Sequence, residues 1–121
     1  MSKKILVVED QEDNRRILRD LLTSRGYEII EVTDGLAGIE AAKNERIDLI
    51  LMDIQLPTID GYEATRRIKS EPETAGVTII AVTSYALSGD KQKALEAGCD
   101  DYVAKPYSPR ELLAKIEQYL G

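Results

Sequence analysis

The chain has 121 residues, which suits one domain with its own apolar core and is too short for two. Hydrophobic residues make up 43% and charged residues 31%, as in ordinary globular proteins, and no apolar stretch approaches the roughly 18 residues of a membrane helix. A single cysteine, Cys99, excludes an internal disulfide, fits a reducing cytoplasm and is expected to be a small buried apolar residue. With no histidine, a metal site would need oxygen ligands, and the net charge of −6 argues against non-specific binding to nucleic acid.

The first half of the chain alternates short apolar runs with segments of helical period. Residues 5–8 are continuously apolar and predict a buried strand, and helical spacing follows as far as Gly26, a residue typical of helix ends. Residues 27–32 predict a second, weaker strand, and residues 36–43 predict a helix rich in small residues. Residues 47–52 are apolar except for Asp48, and they predict a strand that is buried on both faces.

The same alternation continues in the second half of the chain. A third helix is expected around Ala64 and Ile68, followed by a β-branched strand at residues 77–82. Residues 88–97 predict a polar helix, and residues 102–104 predict a very short strand.

The last helix has clear starting signals. Ser108 is a suitable N-cap, Pro109 occupies the first helical position, and Glu111 completes a capping box. Five strand–helix pairs predict an α/β fold with a doubly wound, five-stranded parallel sheet in the flavodoxin-like order 2-1-3-4-5. We expect residues 1–121 to form a single domain.

Acidic residues stand at the one place where this fold binds ligands. Ligands lie beyond the carboxyl ends of the strands where the strand order reverses, here between the first and third strands. The first strand ends in Glu9 and Asp10, and the third ends in Asp53. Two such charges about 4 Å apart repel by roughly 4 kcal/mol at an effective dielectric constant of 20, so a hard cation such as Mg²⁺ is expected among them. A solvated acidic rim is the alternative.

The neighbouring strands end in residues that complement a phosphoryl group. Thr83 at the fourth strand offers a hydroxyl, and Lys105 at the fifth offers a compact cation. With a metal ion, these groups are what phosphoryl transfer requires, and Asp53 is the candidate nucleophile that would form an acyl phosphate. Taken singly, Lys105 could be a solvated surface charge and Thr83 a helix cap.

The sequence resembles the CheY-like receiver domains of bacterial response regulators over its whole length. The likeness rests on residues 5–10 (ILVVED), residues 49–57 (LILMDIQLP), Asp60-Gly61, residues 81–84 (AVTS) and residues 102–106 (YVAKP). The sequences around Asp53 and before Tyr102 are most similar to those of single-domain cell-cycle regulators of the DivK kind. Receiver domains of hybrid histidine kinases have similar sequences.

The resemblance implies a role for each residue of the acidic site. Asp53 would be the phosphoacceptor, Asp10 a direct Mg²⁺ ligand, and Glu9 a ligand through a bound water. Gln55 would contribute its backbone carbonyl to the metal.

The resemblance also implies which residues respond to the bound phosphoryl group. Thr83 would hydrogen-bond a phosphoryl oxygen and Lys105 would form an ion pair with it. Tyr102 is similar to the family's switch aromatic, which turns inward as Thr83 moves; a strand aromatic packed on the last helix is the alternative. The Lys105–Pro106 peptide bond is expected to be cis.

Partners follow from the same resemblance. The phosphoryl donor would be a histidine kinase or a histidine phosphotransfer protein that faces Asn14, Arg15 and Leu18 on the first helix and Pro106-Tyr107 in the last loop. A downstream protein effector would contact the last two helices, at residues 86–97 and 110–120. The chain would be a signalling module that catalyses its own phosphorylation and dephosphorylation, with no direct contact to nucleic acid or membrane.

Other functions remain open at this point. The chain could be a receiver domain of a larger regulator or hybrid histidine kinase, or a scaffold of receiver fold that is not phosphorylated. A flavodoxin-like electron carrier is disfavoured because its first loop would carry the acidic residues 10–13 where a cofactor phosphate must bind. A phosphatase of the haloacid dehalogenase type would need a second aspartate where Gln55 stands.

Overall fold

A computed structural model describes residues 2–83 and 90–121 of the chain. Within those residues the chain forms five strands, each followed by a helix. The elements are β1 (Lys4–Val8), α1 (Glu12–Thr23), β2 (Glu28–Val32), α2 (Gly35–Asn44), β3 (Leu49–Asp53), α3 (Gly61–Ser70), β4 (Thr78–Thr83), α4 (Asp90–Ala97), β5 (Asp101–Ala104) and α5 (Pro109–Leu120).

The strands form one parallel sheet in the order β2-β1-β3-β4-β5, which confirms the predicted fold. In the register of the sheet, Val8 pairs with Met52 and Met52 with Ala81, so β1, β3 and β4 end almost level. The strand order reverses between β1 and β3, and both strands are therefore central and open onto the same edge.

Two apolar layers cover the two faces of the sheet. Along β1, Ile5 and Val7 pack towards the layer that contains buried residues of α1 and α5, whereas Leu6 and Val8 pack towards the layer with α2, α3 and α4. Because both faces of the sheet are covered, every β1 residue from Ile5 onward is buried. This explains why the sequence of the strand is continuously apolar.

Several element boundaries differ slightly from the predictions. β3 begins at Leu49, two residues after the start of the predicted strand. Asp48, just before it, bonds the backbone of Lys4 through both its N–H and its carboxylate. The predicted helix at residues 88–97 is present from Asp90, and its first two residues lie outside the described part of the chain.

Side-chain caps fix the starts of three helices. Ser108 accepts a hydrogen bond from the Glu111 N–H, as its position predicts. Asp34 and Asp60 cap α2 and α3 in the same way through the N–H groups of Ala37 and Glu63, and the sequence analysis had not identified either cap. None of the helices in residues 2–83 and 90–121 has both the length and the apolar character needed to cross a bilayer.

Candidate functional site

Three carboxylates meet at the edge of the sheet where the strand order reverses. Glu9 and Asp10 directly follow β1, and Asp53 is the last residue of β3. One oxygen from each can be chosen so that all three lie within 4.8 Å of one another. The structure thus brings together the acidic residues that the strand order predicted to converge.

Glu9 is a buried anion that the site keeps ionised. Its carboxylate accepts hydrogen bonds from the Gln11 N–H at 3.0 Å and from the Lys105 ammonium at 3.1 Å. Burial pushes the pKa of Glu9 upward, but these two partners outweigh burial and hold the pKa below its ordinary value. Glu9 therefore carries a full negative charge beside Asp53 at neutral pH.

Asp53 is less well compensated than Glu9. Its side chain is almost fully buried; it accepts a hydrogen bond from the Gln55 N–H at 3.1 Å and lies 3.5 Å from the Lys105 ammonium. Burial and, after it, the negative charge of Glu9 raise the pKa of Asp53 to about 6. A buried carboxylate with a raised pKa is one that an additional cation would stabilise.

Lys105 places one positive charge between the two buried carboxylates. It follows β5, and its backbone N–H donates to the carbonyl of Thr83 at 2.6 Å, which ties the end of β5 to the end of β4. Burial alone would lower the pKa of Lys105, but Asp53 and Glu9 raise it above its ordinary value, so the ammonium stays charged. The Lys105–Pro106 peptide bond is cis, as expected.

Thr83 and Tyr102 lie on the last two strands, β4 and β5. Thr83 is the last residue of β4 and is 3% exposed. Tyr102 lies on β5, packs partly against the apolar layer that contains α4, and has the Lys91 ammonium 5.9 Å from its ring centre. These positions are compatible with the switch role, which stays a prediction.

A glycine supports the site in a way that sequence reasoning missed. Gly61 begins α3, and its N–H donates to the carbonyl of Ile54 at 2.9 Å, one residue beyond Asp53. A Cβ atom at this position would clash with the backbone carbonyl of Asp53 and lie 2.8 Å from the Ile54 Cα. The missing side chain lets α3 start directly against the backbone of Asp53, and the Asp60-Gly61 pair was the signal available in the sequence.

The prediction that Leu18 faces the phosphoryl donor is wrong. Leu18 is 3% exposed and belongs to the core beneath α1, so it cannot face a partner. Ile17, one position earlier and about 100° around the helix, is 57% exposed. Arg15 is also turned inward, with a hydrogen bond from its guanidinium to the Glu9 carbonyl.

An open cavity lies beside the acidic site on the α1 side. Its volume is about 480 Å³. The walls come from α1 and from the loop after β5, and they are formed by Asn14, Ile17, Lys105, Pro106 and Tyr107. Three of the residues predicted to face a donor, Asn14, Pro106 and Tyr107, therefore do lie together.

The chain is similar to known proteins along its full length. Residues 5–117 match the family described as the response regulator receiver domain. The polar-differentiation response regulator DivK of Brucella anthropi is 41% identical over 121 residues, which are 100% of this chain and 98% of that protein.

Solved structures agree with this relationship. The receiver domain of a sensor histidine kinase from Pseudomonas aeruginosa PAO1, with a magnesium ion coordinated in its active site cleft, has 40% identity and a TM-score of 0.93 over 100% of this chain and 99% of that one. The receiver domain of Ssk1, in a co-crystal structure with the histidine phosphotransfer protein Ypd1 of Saccharomyces cerevisiae, covers 98% of this chain and 88% of that chain at 31% identity and a TM-score of 0.89.

The fold of the chain and its sequence similarity to known proteins indicate the same family. The expected resemblance to CheY-like receivers and to DivK is confirmed. The chain belongs to the response regulator receiver domain family and is a receiver domain of a two-component signalling system.

Proposed function

We propose that residues 1–121 act as one receiver domain that accepts a phosphoryl group on Asp53 from the phosphohistidine of a histidine kinase or phosphotransfer protein in the cytoplasm. The observation that carries the proposal is the environment of Asp53. It is a buried carboxylate at the strand-order reversal, with two acidic residues and one ammonium directed at it. The same assignment holds for a receiver domain within a longer regulator or hybrid histidine kinase.

Mg²⁺ fits the donor set of this site. Glu9, Asp10 and Asp53 would hold it, together with the backbone carbonyl of Gln55. Oxygen-only ligands select a hard cation, and two buried carboxylates that share one ammonium need more positive charge than Lys105 supplies. When bound, the ion offsets the negative charge of the incoming phosphoryl group.

The chain's own residues account for the rest of the transfer. An Asp53 carboxylate oxygen forms a bond to phosphorus as the phosphorus–nitrogen bond of the donor breaks, and the leaving imidazole keeps the electron pair. The Lys105 ammonium, 3.5 Å from Asp53 before any reaction, would neutralise a phosphoryl oxygen. Thr83 would donate its hydroxyl to another oxygen from the end of β4.

The signal then passes through the β4–β5 side of the domain. Phosphorylation adds negative charge and acceptor oxygens at Asp53, which would draw in Thr83 and let Tyr102 follow. The helices α4 and α5 flank this side of the sheet and would present the altered surface to a downstream protein effector. The effector would select a shifted population rather than a new fold. A full switch from 1:99 to 99:1 needs about 5.5 kcal/mol of differential binding, so binding of the effector would complete the shift.

The donor would approach over the cavity beside α1. Ile17 supplies exposed apolar surface there, and Asn14 and Tyr107 supply polar edges next to Lys105. A groove of this kind, adjoining the phosphoacceptor, suits a donor that must bring a histidine side chain to Asp53.

The proposal is tested by following phosphate addition with intact-protein mass spectrometry. We expect the wild type, incubated with acetyl phosphate and Mg²⁺, to gain one phosphate, and the gain to disappear when EDTA replaces Mg²⁺. Asp53→Asn should gain none, whereas the matched control Asp48→Asn, at the opposite edge of the sheet, should behave as wild type. No adduct on the wild type, or an equal adduct on Asp53→Asn, would refute the proposal.

A further inference from the structure

Arg15 lies on α1, but its side chain reaches back to the end of β1. Its guanidinium donates a hydrogen bond to the backbone carbonyl of Glu9 at 2.9 Å. The side chain is 12% exposed, so this arginine is largely enclosed, unlike the neighbouring Arg16 at 61%.

Two elements, α1 and β2, hold the Arg15 guanidinium in place. It donates to the Glu12 carboxylate of α1 at 2.6 Å, and its Nε lies 3.6 Å from the Glu31 carboxylate of β2. Glu31 is itself held by Arg19, which donates to it through two nitrogens, one at 2.8 Å. The planar guanidinium thus has a fixed orientation when it reaches the Glu9 carbonyl.

The Glu9 carbonyl is part of the peptide plane that joins Glu9 to Asp10. Because a peptide unit is planar, the direction of this carbonyl fixes the plane from which Asp10 starts. The other groups of Glu9 are also held, since its N–H donates to the Val32 carbonyl at 3.1 Å and its carboxylate accepts from Gln11. In the described part of the chain, the Asp10 carboxylate has a single 3.5 Å contact, from the Gln11 side chain.

We propose that Arg15 is a positioning residue for the metal site: by holding the Glu9 carbonyl, it fixes the Asp10 carboxylate at the separation from Asp53 that a divalent cation requires. The inference rests on the proposed function, because it assumes that Glu9, Asp10 and Asp53 bind Mg²⁺. It adds a residue outside the acidic cluster whose contribution comes entirely through another residue's backbone.

Loss of the Arg15 charge and loss of its positioning contact should change the Mg²⁺ affinity in opposite directions. Removing a positive charge near a cation site would by itself favour cation binding. Loss of positioning has the opposite effect, and loss of an outer partner typically weakens metal binding by 10–100-fold. A weaker affinity after removal of Arg15 therefore reports geometry rather than charge.

The first experiment is a Mg²⁺ titration followed by the backbone amide NMR signals of Gln11 and Gln55. We expect Arg15→Met to bind Mg²⁺ about tenfold more weakly than the wild type. Arg16→Met is the matched control, because the neighbouring Arg16 is exposed and bonds Asp13 rather than Glu9. It should bind Mg²⁺ as the wild type does.

A second measurement needs neither metal nor phosphoryl donor. In EDTA, hydrogen exchange of the Gln11 amide reports its bond to the Glu9 carboxylate. We expect this amide to exchange faster in Arg15→Met and at the wild-type rate in Arg16→Met.

Arg15→Lys separates charge from hydrogen-bond geometry and carries the test if Arg15→Met does not fold. A lysine keeps the charge but lacks the planar fork with which Arg15 reaches Glu9, Glu12 and Glu31 through three different nitrogens, so its Mg²⁺ affinity should also be lowered. Wild-type affinity and wild-type Gln11 exchange in a folded Arg15 variant would overturn the proposal. A wild type that binds no Mg²⁺ would instead refute the proposed function.

Discussion

At the scale of single residues, the site is organised around one carboxylate whose charge is poorly compensated. Asp53 and Glu9 share the ammonium of Lys105, which lies 3.1 Å from Glu9 and 3.5 Å from Asp53. Glu9 also accepts a hydrogen bond from the Gln11 N–H, so its negative charge is the better compensated of the two. The pKa of Glu9 is accordingly lowered while that of Asp53 is raised to about 6. Metal-free protein therefore carries an unfavourable charge on Asp53 at neutral pH.

Asp53→Asn should stabilise the metal-free protein. The raised pKa means that folding favours the neutral form of Asp53, so its contribution to stability is complete below the unfolded pKa of 3.8 and is lost as pH rises through about 6. A neutral isostere avoids this loss, and we expect a gain of about 1–3 kcal/mol at pH 7 in EDTA. Denaturant unfolding at several pH values checks this.

The pH dependence supplies the internal control for Asp53→Asn. The difference in unfolding free energy between the variant and the wild type should shrink towards zero as pH falls below the ordinary aspartate value. A variant that is less stable than the wild type in EDTA at pH 7 would contradict the charge distribution described for the site.

Lys105→Met should have the opposite effect on stability. Its removal leaves Glu9 and Asp53 buried without their shared cation, and we expect a loss of about 1–3 kcal/mol in EDTA at pH 7. Mg²⁺ should restore part of this loss in the same unfolding experiment. Lys115→Met, which removes a partly buried lysine bound to Asp101 at 3.1 Å, is the matched control and should show no Mg²⁺-dependent recovery.

Residue positions at strand ends could be predicted from sequence, whereas their immediate surroundings could not. Glu9, Asp53 and Lys105 were placed by strand order alone, because parallel strands end at one edge. Leu18 was misassigned because adjacent apolar residues on a helix leave its rotational phase ambiguous by about 100°. The contact of Arg15 with the Glu9 carbonyl depends on a side-chain path that no spacing rule specifies.

At the scale of elements, α3 is joined to β3 by unusually close backbone contact. Asp60 caps the helix, and Gly61 lies against the carbonyl of Asp53 where no side chain fits. The start of α3 therefore helps to set the position of Asp53. Caps such as Asp60 can be recognised in a sequence only when the start of the helix is known, and the pattern around Ala64 placed that start loosely.

Gly61→Ala should both destabilise the fold and impair phosphorylation. The added methyl group must displace backbone atoms, which costs about 1–3 kcal/mol and moves Asp53. Gly76→Ala is the control, since a Cβ at Gly76 meets no atom within 4 Å. Thermal unfolding and the rate of phosphate addition from acetyl phosphate measure the two effects, and an unaffected Gly61→Ala variant would contradict the close packing.

At the scale of the whole molecule, the sheet order converts distant sequence positions into one site. β1 and β3 are neighbours although α1, β2 and α2 separate them in the chain, and β4 and β5 extend the same edge. The alternation of apolar runs with helical periods predicted a parallel sheet, and the order followed from the arrangement that is common for five strands in such folds. Residues 84–89, which include the predicted start of the fourth helix, lie outside the described residues.

The central claim is that one carboxylate of this edge, Asp53, carries the phosphoryl group. Borohydride reduction converts an acyl-phosphorylated aspartate into homoserine, which peptide mass spectrometry can locate. After incubation with acetyl phosphate and Mg²⁺, we predict homoserine at position 53 and unmodified aspartate at Asp10. Homoserine at another position with Asp53 unmodified would contradict the account.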